Sequence, residues 1–527
     1  MRKLAGGALT SLAAVAMLAA APARAEAPAA YKEAAVKGVE ARTKLVQEIV
    51  DSIFSFEEPG FQEFKTQEYL TSMLEENGFT IETGTAGIPS AFTATWSNGE
   101  GPKIALGADV DGLPGLSQKP GTGKIEPLVQ GGPGHGEGHN AGMAVIVAAA
   151  LAVKDVMEAN DIKGTLMIWP GIAEELLATK AFMVRDGVFD GYDACIFTHV
   201  ATDLTTNWGP NNSNGLVSVE YSFHGKTSHA AGAPWDGRSA LDAVEWMDTA
   251  WNFRREHLPI SHRSHYVITN GGGQPNIVPG EASVWYYFRD HDFAGIRYLY
   301  DTANTIAKAA ASATGTTMTQ RTLAYAAPQW PNKPLAEAAY KNIQAVGMPK
   351  WSEADKTFAR EIQEANGFDP KPLATEVGEL GVPKGLPPMG GPSNDLGDVM
   401  WTLPTITVRY PSNVPNMTIH NVLAAMAMAT PIAHKGAVAG AKVIAMTTLD
   451  LLTTPEILAE AKKYQQEVQF ADQTYDPILT ADDKPAIHMN EETVSRLRPE
   501  MEKFYYDPSK YDSYLDQLGV KYPDAGS

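Results

Sequence analysis

Apolar residues recur at helical spacing from Tyr31 to Phe56, which predicts a first helix. Pro59-Gly60 breaks the chain, and Phe64 to Asn77 predicts a second helix ended by Gly78. Apolar runs then predict strands at Ala91–Trp96 and at Ile104–Ala108, the latter leading to the Asp-rich end Asp109-Val110-Asp111. Ala141 to Met157 predicts an Ala-rich helix, with Asn140 placed to cap it. Further strands are predicted at Thr165–Trp169 and Ala194–His199. This alternation implies an α/β fold, a mostly parallel sheet covered by helices, whose ligands collect at the carboxyl ends of the strands.

From about Leu216 the pattern changes. A strand at Val217–Phe223, a helix at Ser239–Trp251, strands at Tyr266–Asn270 and Ala282–Arg289, a helix near Ala294–Ala311 and a strand near Thr316–Leu323 follow in order. Strand-helix-strand-strand-helix-strand is a ferredoxin-like α+β unit, read as an inserted second domain. The strand Thr405–Tyr410 and the helix Ile432–Leu452 return to the first domain. The expected division is a leader over 1–25, catalytic segments over 26–215 and 329–455, an inserted lid over 216–328, and a helical then loop extension over 456–527.

Composition changes this picture at its start. Arg2 and Lys3 precede an apolar run from Leu4 to Ala20, and Ala23-Arg24-Ala25 offers a small-x-small cleavage site. This reads as a secretory signal peptide, so a periplasmic or secreted chain with no membrane anchor after cleavage is expected. No other run reads as both long and uncharged enough to span a membrane. The formal charge of −20 argues against nucleic acid or an anionic membrane as a partner. Cys195 is the only cysteine, so no intramolecular disulfide can form, and its apolar surroundings suit core packing.

The candidate chemistry gathers around Gly134-His135-Gly136-Glu137-Gly138-His139-Asn140, where imidazoles and a carboxylate sit between glycines. Such side chains are the usual ligands for zinc or manganese. Three predicted strand ends add Asp109 and Asp111, Glu174-Glu175, and His199. Each also fits a structural role: turn or cap aspartates, acids opening a helix, a core histidine. A common site explains all of them together. Asn416-Met417-Thr418-Ile419-His420 adds another imidazole before the last helix.

Longer motifs carry a resemblance: GADVDGLPGLSQ at 107–118, GHGEGHN at 134–140, AEE at 173–175, GKTSHAAGAPWDGRSALDAVE at 225–245, ITNGGGQPNIVP at 268–279, GPSNDLGDVMW at 391–401 and AHKG at 433–436. The chain resembles, over roughly 30–452, the co-catalytic metallopeptidases of the aminoacylase and carboxypeptidase type, in their auxin-conjugate amidohydrolase branch. The resemblance implies a phosphorylase/hydrolase-like catalytic domain binding two divalent ions, zinc or manganese, and a lid that forms a homodimer. By position it makes Glu137, His139, Glu175, His199 and His420 the metal ligands and Glu174 the general base. It brings His229 of the lid to the partner's site, to steady the oxyanion, with Asn276 nearby. The branch usually places a cysteine where this chain has Glu137, and the stretch before His420 also departs from its pattern.

The residues support the same chemistry independently. Paired divalent ions lower the pKa of water, and an adjacent carboxylate that is not a ligand can move its proton. Glu174-Glu175 offers one acid for each task. The expected reaction is amide hydrolysis of N-acyl amino acids, aminobenzoyl-glutamate-like conjugates or small dipeptides. A substrate carboxylate needs a cation, for which Arg289, Arg263 and Arg238 are candidates, as are solvated surface roles for each. No Gly-x-Ser-x-Gly elbow supports a serine hydrolase. The alternative is a periplasmic small-molecule binding protein on the same fold that has lost catalysis.

Overall fold

The computed structural model describes residues 26–210, 213–383, 391–523 and 525. The expected leader lies outside them. Among the described residues eleven strands follow in chain order: β1 (Thr80–Thr83), β2 (Phe92–Ser97), β3 (Lys103–Asp109), β4 (Thr165–Gly171), β5 (Ala194–Ala201), β6 (Thr205–Thr206), β7 (Gly215–His224), β8 (Arg263–Asn270), β9 (Glu281–Asp290), β10 (Thr317–Ala326) and β11 (Thr405–Pro411). Seven form one sheet in the order β1-β2-β4-β3-β5-β11-β6, and four form a second in the order β10-β7-β9-β8.

The centre of the large sheet, β4-β3-β5-β11, is parallel, whereas β1, β2 and β6 pair antiparallel at its margins. The sheet is therefore mixed, with the parallel part at its core. Alternate residues of these strands divide between two cores, as a period of two requires. Ile104, Leu106, Ile168 and Ile196 face the helices Ala29–Ala41, Gly142–Ala159 and Pro431–Thr453. Ala105, Met167, Trp169, Cys195 and Phe197 face the opposite layer, with Leu396 and Met400. Cys195 is buried there as packing. Two helices have the length and mean hydropathy of membrane spans, His139–Ala159 at 1.6 and Pro431–Thr453 at 1.3, which corrects the reading that no further run qualifies. Their apolar surface is buried in the fold, 89% and 83% of each window.

Two local expectations are corrected. The first predicted helix is two, Ala29–Ala41 and Thr43–Phe56, because Arg42 leaves the helical region at φ −101°, ψ 13°. Asn140 does not cap the helix after it. Its amide donates instead to the carbonyls of Val50 and Met428, tying the Gly-rich loop to two other segments.

The small sheet is fully antiparallel, with the helices Ala240–Arg255 and Phe293–Thr314 packed on it. Ser239 and Asp292 cap those helices through their side chains. The element order is the ferredoxin-like one expected. The segment after Pro455 is helical at Pro455–Tyr464 and Glu491–Met501, then returns across the large domain. There Tyr514 packs on Phe54, ring centroids 6.0 Å apart, and the Ala525 carbonyl accepts from Gly123 N–H.

Candidate metal centre

The carboxyl ends of β3, β4, β5 and β11 meet at one cleft, and each delivers a charged side chain or the loop that carries one. Asp109 closes β3 with Asp111 just beyond, Glu174 and Glu175 follow β4, and His199 on β5 lies in register with Arg409 on β11. Two backbone features fit these ends together. At Gly171 a Cβ would stand 1.9 Å from Asp109 Oδ1, so only glycine lets β4 pass that carboxylate. Ala173 and Leu177 hold left-handed φ values of 52° and 53° on either side of Glu174-Glu175-Leu176, which turns both acids inward. Ala173 N–H is anchored at 2.9 Å by the buried Glu63 carboxylate.

Glu137 stands at the centre. Its Oε1 lies 3.2 Å from His199 Nε2 and its Oε2 lies 2.7 Å from His420 Nε2 and 4.0 Å from His139 Nε2. Glu175 Oε2 is 3.4 Å from His420 Nε2, and its Oε1 is 3.9 Å from His139 Nδ1. Donor atoms converge in two sets that share Glu137: Glu137, His139 and His199, and Glu137, Glu175 and His420. A third set, Asp109, His139 and Glu174, adjoins them. Asp111 organises the group: one oxygen sits 3.3 Å from His139 Nδ1 and the other accepts Glu175 N–H at 3.0 Å. A carboxylate behind a histidine in this way fixes its tautomer and leaves Nε2 free to ligate.

The electrostatics fit a bound cation. Burial, then the charge of Asp109, pushes Glu174 well above the usual carboxylate range. Burial, with Glu137 and Asp111 nearby, pushes Glu175 up to about 10. Burial works against Glu137 too, but hydrogen bonds from His199 and His420 hold it well below that range. His139 is driven up by Asp111, Glu137, Asp109 and Glu175 against the cost of its own burial. So much acid in one buried place keeps its charge down with protons, or with a metal. His139 Nε2, Glu175 Oε1 and Asp109 Oδ2 are buried without a hydrogen-bond partner, which suits donors waiting for an ion.

Metal uptake must displace those protons, so affinity should rise with pH. Glu175, at about 10 in the metal-free protein, and the raised His139 both hold protons at neutral pH. Calorimetry of Mn²⁺ or Zn²⁺ binding at neutral pH in two buffers of different ionisation enthalpy should therefore show release of at least about one proton. No release would remove Glu175 and His139 from the ligand set.

The other expected residues divide clearly. Arg289 lines the cleft, donates to Ser393 Oγ at 3.1 Å, stacks on Tyr287, and has a buried Nε with no partner. Arg238 and Arg263 do not line it; they donate to backbone carbonyls of the lid, Arg238 to Trp235 and Gly237, Arg263 to Ile260 and His262. His229 and Asn276 also do not line the cleft of their own chain. They lie together on an exposed part of the lid, where the Asn276 carbonyl accepts Ala230 N–H. His135, the second imidazole of the Gly-rich loop, is a core residue. It contacts the Ile53 carbonyl at 3.0 Å, and burial pushes it down to about 3.

Several residues had no clear signal in the sequence. Lys180 is fully buried and joins Asp109, at 2.7 Å, to Asp395. This fixes the carboxylate behind Glu174 and ties β3 to the segment before Gly397. A lysine inside the apolar stretch after Glu174-Glu175 was the only hint. Arg409 lines the cleft beside His199.

The cleft encloses about 420 Å³ between the large sheet and the lid. Residues 211–314 match the peptidase dimerisation domain family. The chain is 34% identical to one of the component chains of p-aminobenzoyl-glutamate hydrolase from Escherichia coli (strain K12), over 82% of this chain and 94% of that protein. It is 29% identical to the Xaa-Arg dipeptidase of Mus musculus, over 72% and 78%. A putative aminohydrolase from methicillin resistant Staphylococcus aureus shares the fold, with a TM-score of 0.56 at 18% identity, over 80% of this chain and 100% of that one. The extent of the first match, the dimerisation domain and the convergent donor set together place this chain in the family of the Escherichia coli p-aminobenzoyl-glutamate hydrolase, as a metal-dependent amidohydrolase.

Proposed function

We propose that the enzyme hydrolyses the amide bond of an N-acyl or aminobenzoyl amino acid, or of a small dipeptide, with Glu174 moving the proton. The observation that carries this reading is the division of labour at the end of β4. Glu175 shares a donor set with Glu137 and His420, while Glu174 stands next to it in a different one. Two divalent ions would be held by these donor sets, one by Glu137, His139 and His199 and the other by Glu137, Glu175 and His420. When bound, such ions supply Lewis acidity and lower the pKa of nearby water. Glu174 takes the proton of the attacking water and returns it to the leaving amine as the C–N bond breaks and the new C–O bond forms. Arg289, with its free Nε, receives the α-carboxylate of the amino acid. His229, with Asn276, reaches the site of a second copy of the chain through lid pairing and steadies the oxyanion. Export through the leader is part of the same proposal, and sequencing the N-terminus of the protein recovered from cells checks it.

The test is a screen of purified, metal-loaded protein against p-aminobenzoyl-glutamate, N-acetyl amino acids and dipeptides. Release of the free amino acid supports the reading. Substrate binding without release, at full metal content, would favour a binding protein instead.

The metal preference follows from Glu137. A carboxylate is a harder ligand than a thiolate, and hard sites suit Mn²⁺ better. Glu137→Cys should shift the order of binding and activity away from Mn²⁺ toward Zn²⁺. An unchanged order across Mn²⁺, Co²⁺ and Zn²⁺ would mean that Glu137 is not a ligand.

A further inference from the structure

We infer that Arg409 forms a second carboxylate-binding position in the cleft, so that the substrate carries an acid group besides the α-carboxylate of its amino acid. This rests on the proposed amide hydrolysis and narrows its substrate class. Arg409 projects from the end of β11, in register with His199, and lines the same cleft as Arg289. Arg409 is an exposed residue where it lines the cleft.

A guanidinium is a fork of donors with no acceptor of its own, and it normally meets a carboxylate. Arg409 meets none. Its hydrogen-bond contact is His199 Nδ1 at 3.3 Å, and among the described residues it forms no ion pair. Even that contact conflicts with the site's chemistry. His199 Nδ1 also lies 2.9 Å from the Val200 carbonyl, which can only accept. His199 Nε2 points at Glu137, so ligation there leaves the ring proton on Nδ1, donated to Val200. Nδ1 then has no lone pair for Arg409. With His199 serving as a ligand, the guanidinium faces the cleft with no protein acceptor. Burial lowers Arg409, Glu137 and Asp203 are the acids that oppose this, and among the described residues neither forms an ion pair with it. Arg289, which lines the same cleft, is assigned the α-carboxylate in the proposed function, so a second cation there calls for a second anion.

The extra carboxylate has two sources, an acidic side chain on the leaving amino acid or a dicarboxylic acyl group. Paired substrates separate them: N-acetylglutamate against N-acetylglutamine, and N-succinylalanine against N-butyrylalanine. The wild-type enzyme should prefer the acidic member of one pair. Arg409→Gln should reduce that preference roughly ten- to a hundredfold, the usual weight of a charge-assisted hydrogen bond, with the change in KM rather than kcat. Arg409→Lys should restore part of it. Equal losses on both members, or a loss in kcat together with metal content, would make Arg409 a support for His199 and overturn the inference. Calorimetry reads the same residue without turnover. Metal-loaded wild type should bind glutamate over glutamine, or succinate over butyrate, and the Gln variant should lose that difference. No Arg409-dependent preference in either measurement overturns the inference. A protein that hydrolyses no amide yet shows the Arg409-dependent binding would sink the hydrolytic reading alone.

Discussion

Glutamine at position 174 is expected to leave metal and product binding in place while lowering kcat by roughly 10²–10⁴-fold, the usual contribution of a positioned general acid–base. The substitution keeps the size and one acceptor of a buried side chain and removes its ability to carry a proton. Burial and the Asp109 charge hold Glu174 well above ordinary carboxylates in the metal-free protein, which favours its protonated form; a neighbouring cation would lower it and free the carboxylate to take the proton of water. The competing outcome has a structural basis, because Glu174 also converges with Asp109 and His139 as a donor set. Metal analysis of the variant beside its kcat decides between them. Loss of metal together with turnover would make Glu174 a ligand and pass the proton-transfer role to another acid.

The central strands were legible because both faces of a parallel sheet are covered, so β3, β4 and β5 read as continuous apolar runs. Of the marginal strands, β2 was legible as the run Ala91–Trp96, and β1 and β6 were not. β6 is two residues long and β1 carries exposed polar residues, so neither presents a pattern to find. The antiparallel margins could not be foreseen for that reason. In the site, the ligand candidates were legible as types of residue at strand ends, where the fold gathers them. Their supports were not, because a support is defined by a contact across the chain. Asp111 behind His139, Glu63 behind Ala173 and Lys180 between Asp109 and Asp395 join segments 28 to 215 residues apart. Asn140 shows the same limit from the other side. Its type and position suited a helix cap, yet two distant carbonyls claim its amide. Arg409 was the nearest miss. A lone cation near the end of the apolar strand Thr405–Tyr410 was visible in the sequence, whereas its place beside His199 follows from the pairing of β5 with β11.

Mixing two inactive variants, Glu174→Ala and His229→Ala, and letting their subunits exchange is expected to restore activity at about a quarter of all sites in a two-fold dimer. His229 is exposed on the lid and absent from its own cleft, which is the placement a residue serving a neighbouring copy would have. The lid also offers a surface for pairing. β8 is an edge strand with Val267 and Ile268 exposed, and Trp246 and Phe253 are exposed on the helix Ala240–Arg255. If His229 acts in trans, each mixed dimer has one site carrying both lesions and one site carrying neither. Random pairing makes about half the dimers mixed, so about a quarter of the sites are intact. If His229 acts in its own subunit, every site keeps one lesion and activity stays at the level of the parents. Exchange is followed separately, by isolating dimers that carry two different affinity tags. Tagged mixed dimers without recovered activity would rule out the shared site and leave His229 a structural residue of the lid turn.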